Sequence, residues 1–461
     1  MAGSRVKRER LAKAVVAAVP AVLLAVIAGA WVAWRGPGLV PTALSLSGAV
    51  GDLLALAGLV GLAAMVTLGV RVPWVEHVLG LDRVYRLHKV LGVGVVAVFA
   101  SHALLRTLHY SLRHGGVWSW SFLFSLSPRD PALLLGHVAL AALIVVVGLV
   151  LLGRHRVPFR FWKSVHLLVY PAVVLGFVHA WIKGADELTE PPNLAVFAVL
   201  AAVLLAVFGY RLAYQIGRDR RRTWRVARVE RETRDVTSLV LHRPQGPGPF
   251  ARRRAGQFAL IRVWRQGRWG EPHPFTISAP PSSQDLRFTI KAAGRFTSSV
   301  PSLEPGTPVL CEGPYGVFTV DLERERELVM ISGGVGITPF LSLIRHVAAA
   351  APDTRITLIC GNRTEDDIVA REELTAASRS LQLKVVHVLS QAPSGPLPPP
   401  VHGVSFERGH VTADLLAKHV PSPRASFLMC GPPAMQEAVF RALREAHGVP
   451  RRSVRRELFF Y

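Results

Sequence analysis

Four histidines interrupt two long apolar stretches of the chain at nearly equal spacing. His88 and His102 lie fourteen residues apart. His166 and His179 lie thirteen residues apart. On helices, these intervals give rises of about 21 Å and about 19–20 Å, so both stretches would carry imidazoles at two matching depths. A single histidine in an apolar helix commonly hydrogen-bonds a neighbouring helix, whereas two matched pairs predict ligands for two metal centres.

Two facing imidazoles match the axial ligand set of a six-coordinate haem iron. The spacing therefore predicts an inner haem held by His88 and His166. An outer haem would be held by His102 and His179. His88 and His102 lie about 40° apart around an ideal helix. His166 and His179 lie about 140° apart, so we expect Pro171, which lies between them, to change the helix register.

Six apolar segments are long enough to carry these histidines across a membrane, which takes about twenty helical residues. The segments are residues 14–34, 48–70, 84–108, 132–152, 161–182 and 194–214. The first segment has the basic start of a secretion signal, but its length and the five segments after it favour a true span. His137, on the fourth segment, is the strongest competing ligand. We therefore expect a six-helix transmembrane bundle.

The charge distribution indicates that the basic residues face a lipid bilayer and do not bind nucleic acid. The chain carries a net charge of +23, and 50% of its residues are hydrophobic. Basic runs at 5–10, 153–160 and 217–225 each flank an apolar segment, as in the positive-inside pattern. This pattern predicts a multi-pass protein of the cell membrane with both termini in the cytoplasm. The three cysteines form no CxxC pair, which argues against a disulfide framework or a cysteine–zinc site.

The second half of the chain has the pattern of a soluble protein. A small antiparallel barrel is predicted from four strand-like segments: 223–230, 236–243, 256–264 and 286–292. A doubly wound α/β domain is predicted from strands that alternate with helices: 328–333, 355–361, 383–389 and 425–431. We assign three domains: transmembrane haem-binding (1–216), β-barrel (217–322) and α/β (323–461).

Short motifs in these two soluble domains suit a flavin and a nucleotide. In HPFTIS (273–278), hydroxyl residues beside an aromatic residue on a strand suit a flat ring with a phosphate. Gly294 and Thr297, in GRFTSS, would open a helix whose amides receive a pyrophosphate. The turn GGVGITPF (333–340) leads from a strand into a helix and would bring backbone amides close to phosphate.

The order of HPFTIS, GRFTSS, GGVGITPF, CGNRTEDDI and CGPPAM resembles that of the ferredoxin–NADP reductase-like flavoenzymes. Together with the paired histidines, the chain resembles the ferric reductase and NADPH oxidase superfamily in its bacterial form, over roughly residues 45–461. The resemblance implies FAD, NADPH and two haems b as cofactors.

The resemblance also assigns roles to individual residues. The flavin would contact His273, Pro274, Phe275, Thr276 and Ser278, and Gly294 and Thr297 would hold the FAD pyrophosphate. The nucleotide would contact Gly333, Gly334, Gly336, Thr338, Gly431 and Pro432, and Arg363 would grip a 2′-phosphate, which favours NADPH. Cys430 would lie beside the nicotinamide, and Phe459 would stack on the flavin, although Phe460 and Tyr461 leave the register open.

These assignments imply electron transfer from cytoplasmic NADPH through FAD and both haems to an acceptor outside the cytoplasm. Ferric iron or a ferric chelate is the favoured acceptor, and reduction of dioxygen to superoxide is the alternative. Basic residues near the outer face could attract an anionic chelate or hold haem propionates: Arg106, His109, Arg113 and His114. Two further hypotheses remain. The chain could be a six-span channel with a regulatory nucleotide-binding domain, or another donor could reduce the haems while the flavin domain is vestigial.

Overall fold

The computed structural model describes residues 42–70, 81–115, 130–152, 159–183, 191–216, 223–392 and 394–457, with a few isolated positions besides. Its contacts divide the chain into two units, residues 1–215 and 216–461. The first unit is helical and the second contains both β-sheets.

Six helices are described in the apolar part of the chain. They are α1 (Ala43–Gly69), α2 (Leu81–Arg113), α3 (Pro131–Leu152), α4 (Phe159–His166), α5 (Val169–Lys183) and α6 (Pro191–Ile216). Four helical stretches of the described residues are long and apolar enough to cross a membrane. One of them, Phe161–Lys183, runs through both α4 and α5. Four of the six predicted apolar helices are thereby confirmed as helices of this length.

The predicted bundle of six spans is not confirmed. The segment 14–34 lies outside the described residues, apart from isolated positions. The segment 194–214 does form a helix, but its described apolar stretch, Phe197–Ala213, is shorter than the four spanning stretches. The described part of the chain therefore contains four helical stretches of the length and composition of a membrane span.

Glycines let α1 and α2 pack closely against each other. A Cβ atom on Gly58 would lie 2.5 Å from Cε1 of Phe99, and one on Gly61 would lie 2.9 Å from Cγ2 of Val95. Small residues at such positions let two membrane helices approach until their backbones nearly touch. The glycines of α1 therefore bring its backbone within reach of side chains on α2.

The register change expected near Pro171 takes the form of a break between α4 and α5. At Leu167 and Leu168 the helix tightens, because Leu168 N–H donates to the Val165 carbonyl (3.0 Å) and Tyr170 N–H donates to the Leu167 carbonyl (3.1 Å). Pro171 then lies in the first turn of α5, where its missing N–H costs no helical hydrogen bond.

The second unit begins with an antiparallel sheet that curls into a barrel. Its strands are β1 (Thr223–Arg231), β2 (Val236–His242), β3 (Phe258–Arg265), β4 (Arg268–Trp269), β5 (His273–Thr276), β6 (Leu286–Lys291) and β7 (Pro308–Tyr315). The order is β4-β3-β7-β1-β2-β6, with β5 paired to β3. A bridge between Ile277 and Phe288 joins the end of β5 to β6 and closes the seam. Trp224, Leu239, Ile261 and Phe288 are among the buried side chains that fill the interior.

The chain then forms a six-stranded parallel sheet with helices. Its strands are β8 (Glu327–Gly333), β9 (Arg355–Asn362), β10 (Leu383–Leu389), β11 (Val404–Arg408), β12 (Ser426–Cys430) and β13 (Val454–Glu457). Its helices are α7 (Thr338–Ala350), α8 (Arg371–Ser380), α9 (Ala413–His419) and α10 (Pro433–Glu445). The order β11-β10-β9-β8-β12-β13 changes direction between β8 and β12, and ligands of such sheets bind at that crevice. The predicted antiparallel and α/β architectures are both confirmed.

One buried histidine of this sheet has no hydrogen-bond partner in the part of the chain that the structure describes. His387, on β10, is fully buried, and neither of its ring nitrogens is bonded. It lies in register between Cys360 of β9 and Phe406 of β11. Burial, with a smaller effect from the charge of Arg371, lowers the pKa of His387 to about 4.

We expect His387 to make the protein less stable as the pH falls. Its folded-state pKa lies below the value of about 6.5 in an unfolded chain. Its contribution to the free energy of unfolding is therefore complete above pH 6.5 and declines as the pH falls towards 4. The loss between pH 7 and pH 5 should be about 2 kcal/mol, measured as the unfolding free energy of the full chain in detergent. His387→Leu should remove this part of the pH dependence, whereas His410→Gln, at an exposed position, should keep it. Identical pH profiles for His387→Leu and the wild type would contradict the expectation.

Candidate functional site

Three of the four predicted haem ligands donate a hydrogen bond to a backbone carbonyl of another helix. The Nδ1 atom of His88 is 3.0 Å from the carbonyl oxygen of Met65. That of His102 is 2.8 Å from the Gly51 oxygen, and that of His179 is 2.7 Å from the Ala132 oxygen. Because a carbonyl oxygen can only accept, Nδ1 carries the proton in each ring. Nε2 therefore keeps its lone pair, which is the state that binds a metal.

Glycines one helical turn after two of the accepting carbonyls make room for the histidine rings. A Cβ atom on Gly136 of α3 would lie 2.7 Å from Nδ1 of His179. One on Gly69 of α1 would lie 3.1 Å from Cε1 of His88. The sequence analysis missed these glycines and carbonyls, and the glycine-rich composition of α1 was the available signal.

The structure brings the inner pair of histidines together. The ring centroids of His88 and His166 are 6.1 Å apart, with 62° between the ring planes. A metal-bound imidazole nitrogen lies about 2 Å from its metal, so this separation leaves space for one metal atom between the rings. Trp162 stacks on His166 with centroids 5.0 Å apart. The Nδ1 atom of His166 is buried and has no hydrogen-bond partner among the described residues.

His102 and His179, the proposed outer pair, are anchored on carbonyls of two different helices, α1 and α3. His137 directly follows Gly136, whose Cα lies against the His179 ring, so the competing ligand stays near the outer site. Among the described residues, no group of three or more His, Cys, Asp or Glu side chains could hold a metal ion alone. A haem iron needs only two axial ligands from the protein. The anchored rings with free Nε2 atoms therefore fit haem.

Ion pairs lie one helical turn beyond each histidine of the outer pair. Arg106 donates to Asp52 across α1 and α2 (3.1 Å). Lys183 pairs with Asp130, which also accepts the Leu133 amide at the start of α3. The charge of Arg106 is therefore compensated, so that this residue is less able to attract an anion than the sequence suggested.

Two other basic residues of the outer-face hypothesis make local hydrogen bonds. His109 Nδ1 donates to the Leu44 carbonyl (2.9 Å). His114 Nδ1 donates to the Tyr110 carbonyl (2.8 Å), and its ring stacks on Tyr110. Both rings thus contribute to the packing at the end of α2.

Strand β5 presents an aromatic platform at the predicted flavin site. His273 and Phe275 alternate with exposed Pro274 along the strand. Phe296, which the sequence analysis did not single out, stacks on His273 with centroids 4.0 Å apart and on Phe275 at 6.0 Å. Burial lowers the pKa of His273, with a smaller opposite effect from Glu271. The ring is therefore neutral at physiological pH and contributes a flat surface.

The other predicted flavin residues differ in exposure. Thr297 accepts the amides of Ala293 and Gly294 (2.8 and 2.9 Å), so these two N–H groups are already bonded. Gly294 itself is exposed, with open space around it. Thr276 is largely buried. Ser278 is fully buried, and its hydroxyl bonds inside the barrel, so it does not line an open surface.

Two glycine turns meet at the crevice between β8 and β12. A Cβ atom on Gly333 would lie 2.8 Å from both Met435 and Pro432. One on Gly336 would collide with the carbonyl of Cys430. Gly334 and Gly431 have φ angles of +54° and +151°, which residues with a Cβ atom rarely adopt. The motifs GGVG and CGPP therefore form one surface at the predicted nucleotide site.

Thr338 begins α7 beside this surface. It is 2% exposed, and its hydroxyl donates to the Val335 carbonyl (3.1 Å). It therefore closes the glycine turn and exposes little surface to a ligand.

Cys430 ends β12 and is fully buried. Burial, with a smaller effect from the Glu457 carboxylate, raises the pKa of Cys430, so the thiol stays protonated. The buried side chain of Gln436, which the sequence analysis missed, donates to the carbonyls of Gly431 (2.9 Å) and Glu457 (2.7 Å). It thus ties β13 to the glycine turn. Phe459, Phe460 and Tyr461 lie outside the described residues.

Arg363 follows the carboxyl end of β9. Its side chain is 57% exposed and lies 3.5 Å from Asp367 and 3.8 Å from Asp235. Such exposed pairs contribute little energy, so a phosphate could replace the carboxylates as the partner of this guanidinium. The position fits a residue that contacts the far end of a bound nucleotide.

Comparison with known families agrees with this combination of sites. The family model for the ferric reductase like transmembrane component matches residues 54–177. Models for an FAD-binding domain and an oxidoreductase NAD-binding domain match residues 221–319 and 330–441. The second half of the chain is thus similar to the FAD-binding and NAD-binding modules of oxidoreductases. The three models match in this order along the chain, so a region similar to the ferric reductase transmembrane component precedes regions similar to FAD-binding and NAD-binding domains.

Individual relatives resemble only part of the chain. It is 30% identical over 232 residues to a flavohemoprotein of Xylella fastidiosa, covering 50% of this chain and 56% of the relative. It is 31% identical over 233 residues to the reductase component of propane 2-monooxygenase from Rhodococcus jostii, covering 49% and 60%. It is 34% identical over 175 residues to NADH-cytochrome b5 reductase 2 of Mycosarcoma maydis, covering 36% and 48%. The chain thus spans about half the length of the curated relatives it matches.

Among solved structures, the FAD/NAD-binding domain of nitric oxide dioxygenase from Vibrio cholerae is similar. The two share 22% identity with a TM-score of 0.45, and the match covers 52% of this chain and 98% of that one.

Proposed function

We propose that the protein carries electrons from cytoplasmic NADPH across the membrane to ferric iron or a ferric chelate. The observation that carries this proposal is the set of three histidines whose Nδ1–H groups are anchored on carbonyls of α1 and α3. Such anchors are typical of metal-ligating histidines, because they fix the tautomer and the ring direction. The basic runs beside the apolar segments support a multi-pass arrangement with both termini in the cytoplasm.

Each group of residues has its own part in this function. His88 and His166 would hold the inner haem b, and His102 and His179 the outer one. The glycine surface of GGVG and CGPP would bind the nucleotide, while His273, Phe275 and Phe296 would support the flavin ring. When bound, FAD would supply two-electron to one-electron conversion, and two haems would supply single-electron carriers for a hydrocarbon layer about 30 Å thick. The residues named above would hold these groups in order.

The charge at the outer pair does not by itself select the acceptor. Arg106 and Lys183 are both compensated by aspartates, so neither is placed to concentrate anions. We favour ferric iron or a ferric chelate because it could take an electron at the protein surface, whereas dioxygen would need access to the edge of the outer haem. The two acceptors predict different behaviour.

Removal of one histidine should remove one haem. In dithionite-reduced membranes, His88→Ala and His166→Ala should each lose about half of the haem absorbance and half of the iron per polypeptide, because one axial pair of two is broken. His102→Ala and His179→Ala should do the same at the outer site. His114→Ala, outside both pairs, is the control and should keep the full spectrum. His137→Ala tests the competing ligand. A colourless, iron-free wild type would favour the channel interpretation.

Replacement of Arg363 should change the choice of nucleotide. Arg363→Ser should lower kcat/KM for NADPH by about tenfold or more, because it removes a charge-assisted contact to the 2′-phosphate. The value for NADH should change little. Arg324→Ser, another exposed arginine paired with an aspartate, is a matched control. An equal decrease in kcat/KM for NADPH and NADH would show that Arg363 does not bind the 2′-phosphate.

Electron acceptors should be distinguishable with the purified full chain. NADPH oxidation, in the presence of FAD, should continue without oxygen when ferric citrate is supplied. It should form ferrous iron at two per NADPH, because NADPH supplies two electrons. Superoxide formed at the full rate of NADPH consumption would instead show that dioxygen is the acceptor.

A further inference from the structure

Two side chains of α7 hold the segment that follows the flavin strand. The Oγ atom of Ser342 donates to the carbonyl of Ala279 (2.9 Å). The guanidinium of Arg345 donates to the carbonyl of Ser278 (2.6 Å). Residues three apart lie on one face of a helix, so α7 binds two consecutive carbonyls with one face.

The two carbonyls belong to the seam that closes the barrel. Ser278 N–H donates to the Arg287 carbonyl (2.8 Å) and so joins the end of β5 to β6. Ser278 and Ala279 are both buried, and a buried carbonyl without a hydrogen-bond partner destabilises the fold. The side chains of α7 supply that partner, so the seam is hydrogen-bonded to the helix.

Glu373 on α8 fixes the direction of Arg345. Its two carboxylate oxygens accept from Nε (2.6 Å) and from an Nη atom (2.5 Å) of Arg345. The side chain of Arg345 is only 18% exposed. A bidentate pair holds the planar guanidinium in one orientation. The other terminal nitrogen of Arg345, Nη1, is therefore directed at the Ser278 carbonyl. We call Ser342, Arg345 and Glu373 the α7 clamp.

Both ends of the α7 clamp lie next to cofactor sites. Its acceptor Ser278 comes two residues after Thr276, the end of β5. Its donor Ser342 lies six residues after Gly336, in the helix that follows the glycine turn. The apolar core supports the same junction, since Phe318 of the barrel side packs against Phe340 of α7 with centroids 5.9 Å apart.

We propose that the α7 clamp sets the distance and angle between the nicotinamide and the flavin ring. This inference rests on the proposed flavin and nucleotide sites. In the reaction, the C4–H bond of the reduced nicotinamide breaks and the hydride, with both electrons, bonds to N5 of the oxidised flavin. The products are the oxidised nucleotide and the reduced flavin. Such a transfer depends steeply on position, and a displacement of about 1 Å can cost about a hundredfold in rate.

The test uses the full-length chain in detergent with FAD bound. Arg345→Met and Glu373→Gln should keep the wild-type FAD content and the wild-type Kd for NADPH, because neither side chain is placed at a ligand. Anaerobic flavin reduction by NADPH should slow about tenfold or more. The long-wavelength absorbance that forms when nicotinamide stacks on flavin should weaken. Arg345→Lys, which keeps a donor for Ser278, should recover part of both signals.

Arg355→Met is the matched control. It removes an arginine that pairs with Glu327 (3.4 Å) at the opposite, amino edge of the same sheet, and it should behave as the wild type. If Arg345→Met does not fold, Glu373→Gln gives the same decision. Wild-type reduction rates and stacking absorbance in Glu373→Gln and Arg345→Met would overturn the proposal. A loss of FAD with an unchanged rate per bound flavin would also overturn it. If the wild type itself binds no FAD, or if its flavin is not reduced by NADPH, the proposed function is wrong. A defect found only in the clamp variants concerns the α7 clamp alone.

Discussion

A histidine can bind a metal inside a membrane only if one ring nitrogen is kept free of a proton. Water, which would otherwise exchange protons with the ring, is absent from the hydrocarbon region. The hydrogen bonds from Nδ1 of His88, His102 and His179 to backbone carbonyls meet this requirement. Each carbonyl already accepts a bond within its own helix, and its second lone pair is available to the ring. The helix backbone thus sets the protonation state.

Close backbone approach is the condition for this arrangement, and glycines provide it in both units. In the membrane helices, Gly69 and Gly136 let a ring lie against the neighbouring backbone. In the α/β sheet, Gly336 and Gly431 let two turns meet without side chains between them. The same property serves two purposes. In the first unit it gives space to a ring, and in the second it brings two backbone turns together at the proposed nucleotide site.

Periodicity made much of the fold predictable. Segments with a continuous apolar pattern, such as β8 and β10, were located to within a residue of their observed ends. Strands β4 and β13 were missed because they are two and four residues long and carry arginines. Strand β7 was missed because Pro308 and Gly313 interrupt its pattern. Such strands form because neighbouring strands offer them hydrogen bonds, and a local pattern does not contain that information.

The candidate site was predictable where spacing along one helix or one motif defined it. The histidine pairs and the glycine turns are of this kind. The partners that complete the site are contributed by distant parts of the chain. The carbonyl of Met65 lies 23 residues from His88, and that of Gly51 lies 51 residues from His102. The donor Arg345 lies 67 residues from its acceptor Ser278. A carbonyl is present at every residue, so no residue type marks the one that is used.

The exception among the four rings shows that the two histidine pairs are not equivalent. Within the described residues, the Nδ1 atom of His166 has no hydrogen-bond partner, and the ring is held by stacking on Trp162. It also ends α4, directly before the break at Leu167. Stacking fixes the plane of a ring but not the position of its proton. A hydrogen bond to a carbonyl makes an imidazole a stronger electron donor to a metal, so His166 would be the weaker donor of the proposed pair. The asymmetry lies on the side from which we propose that electrons enter.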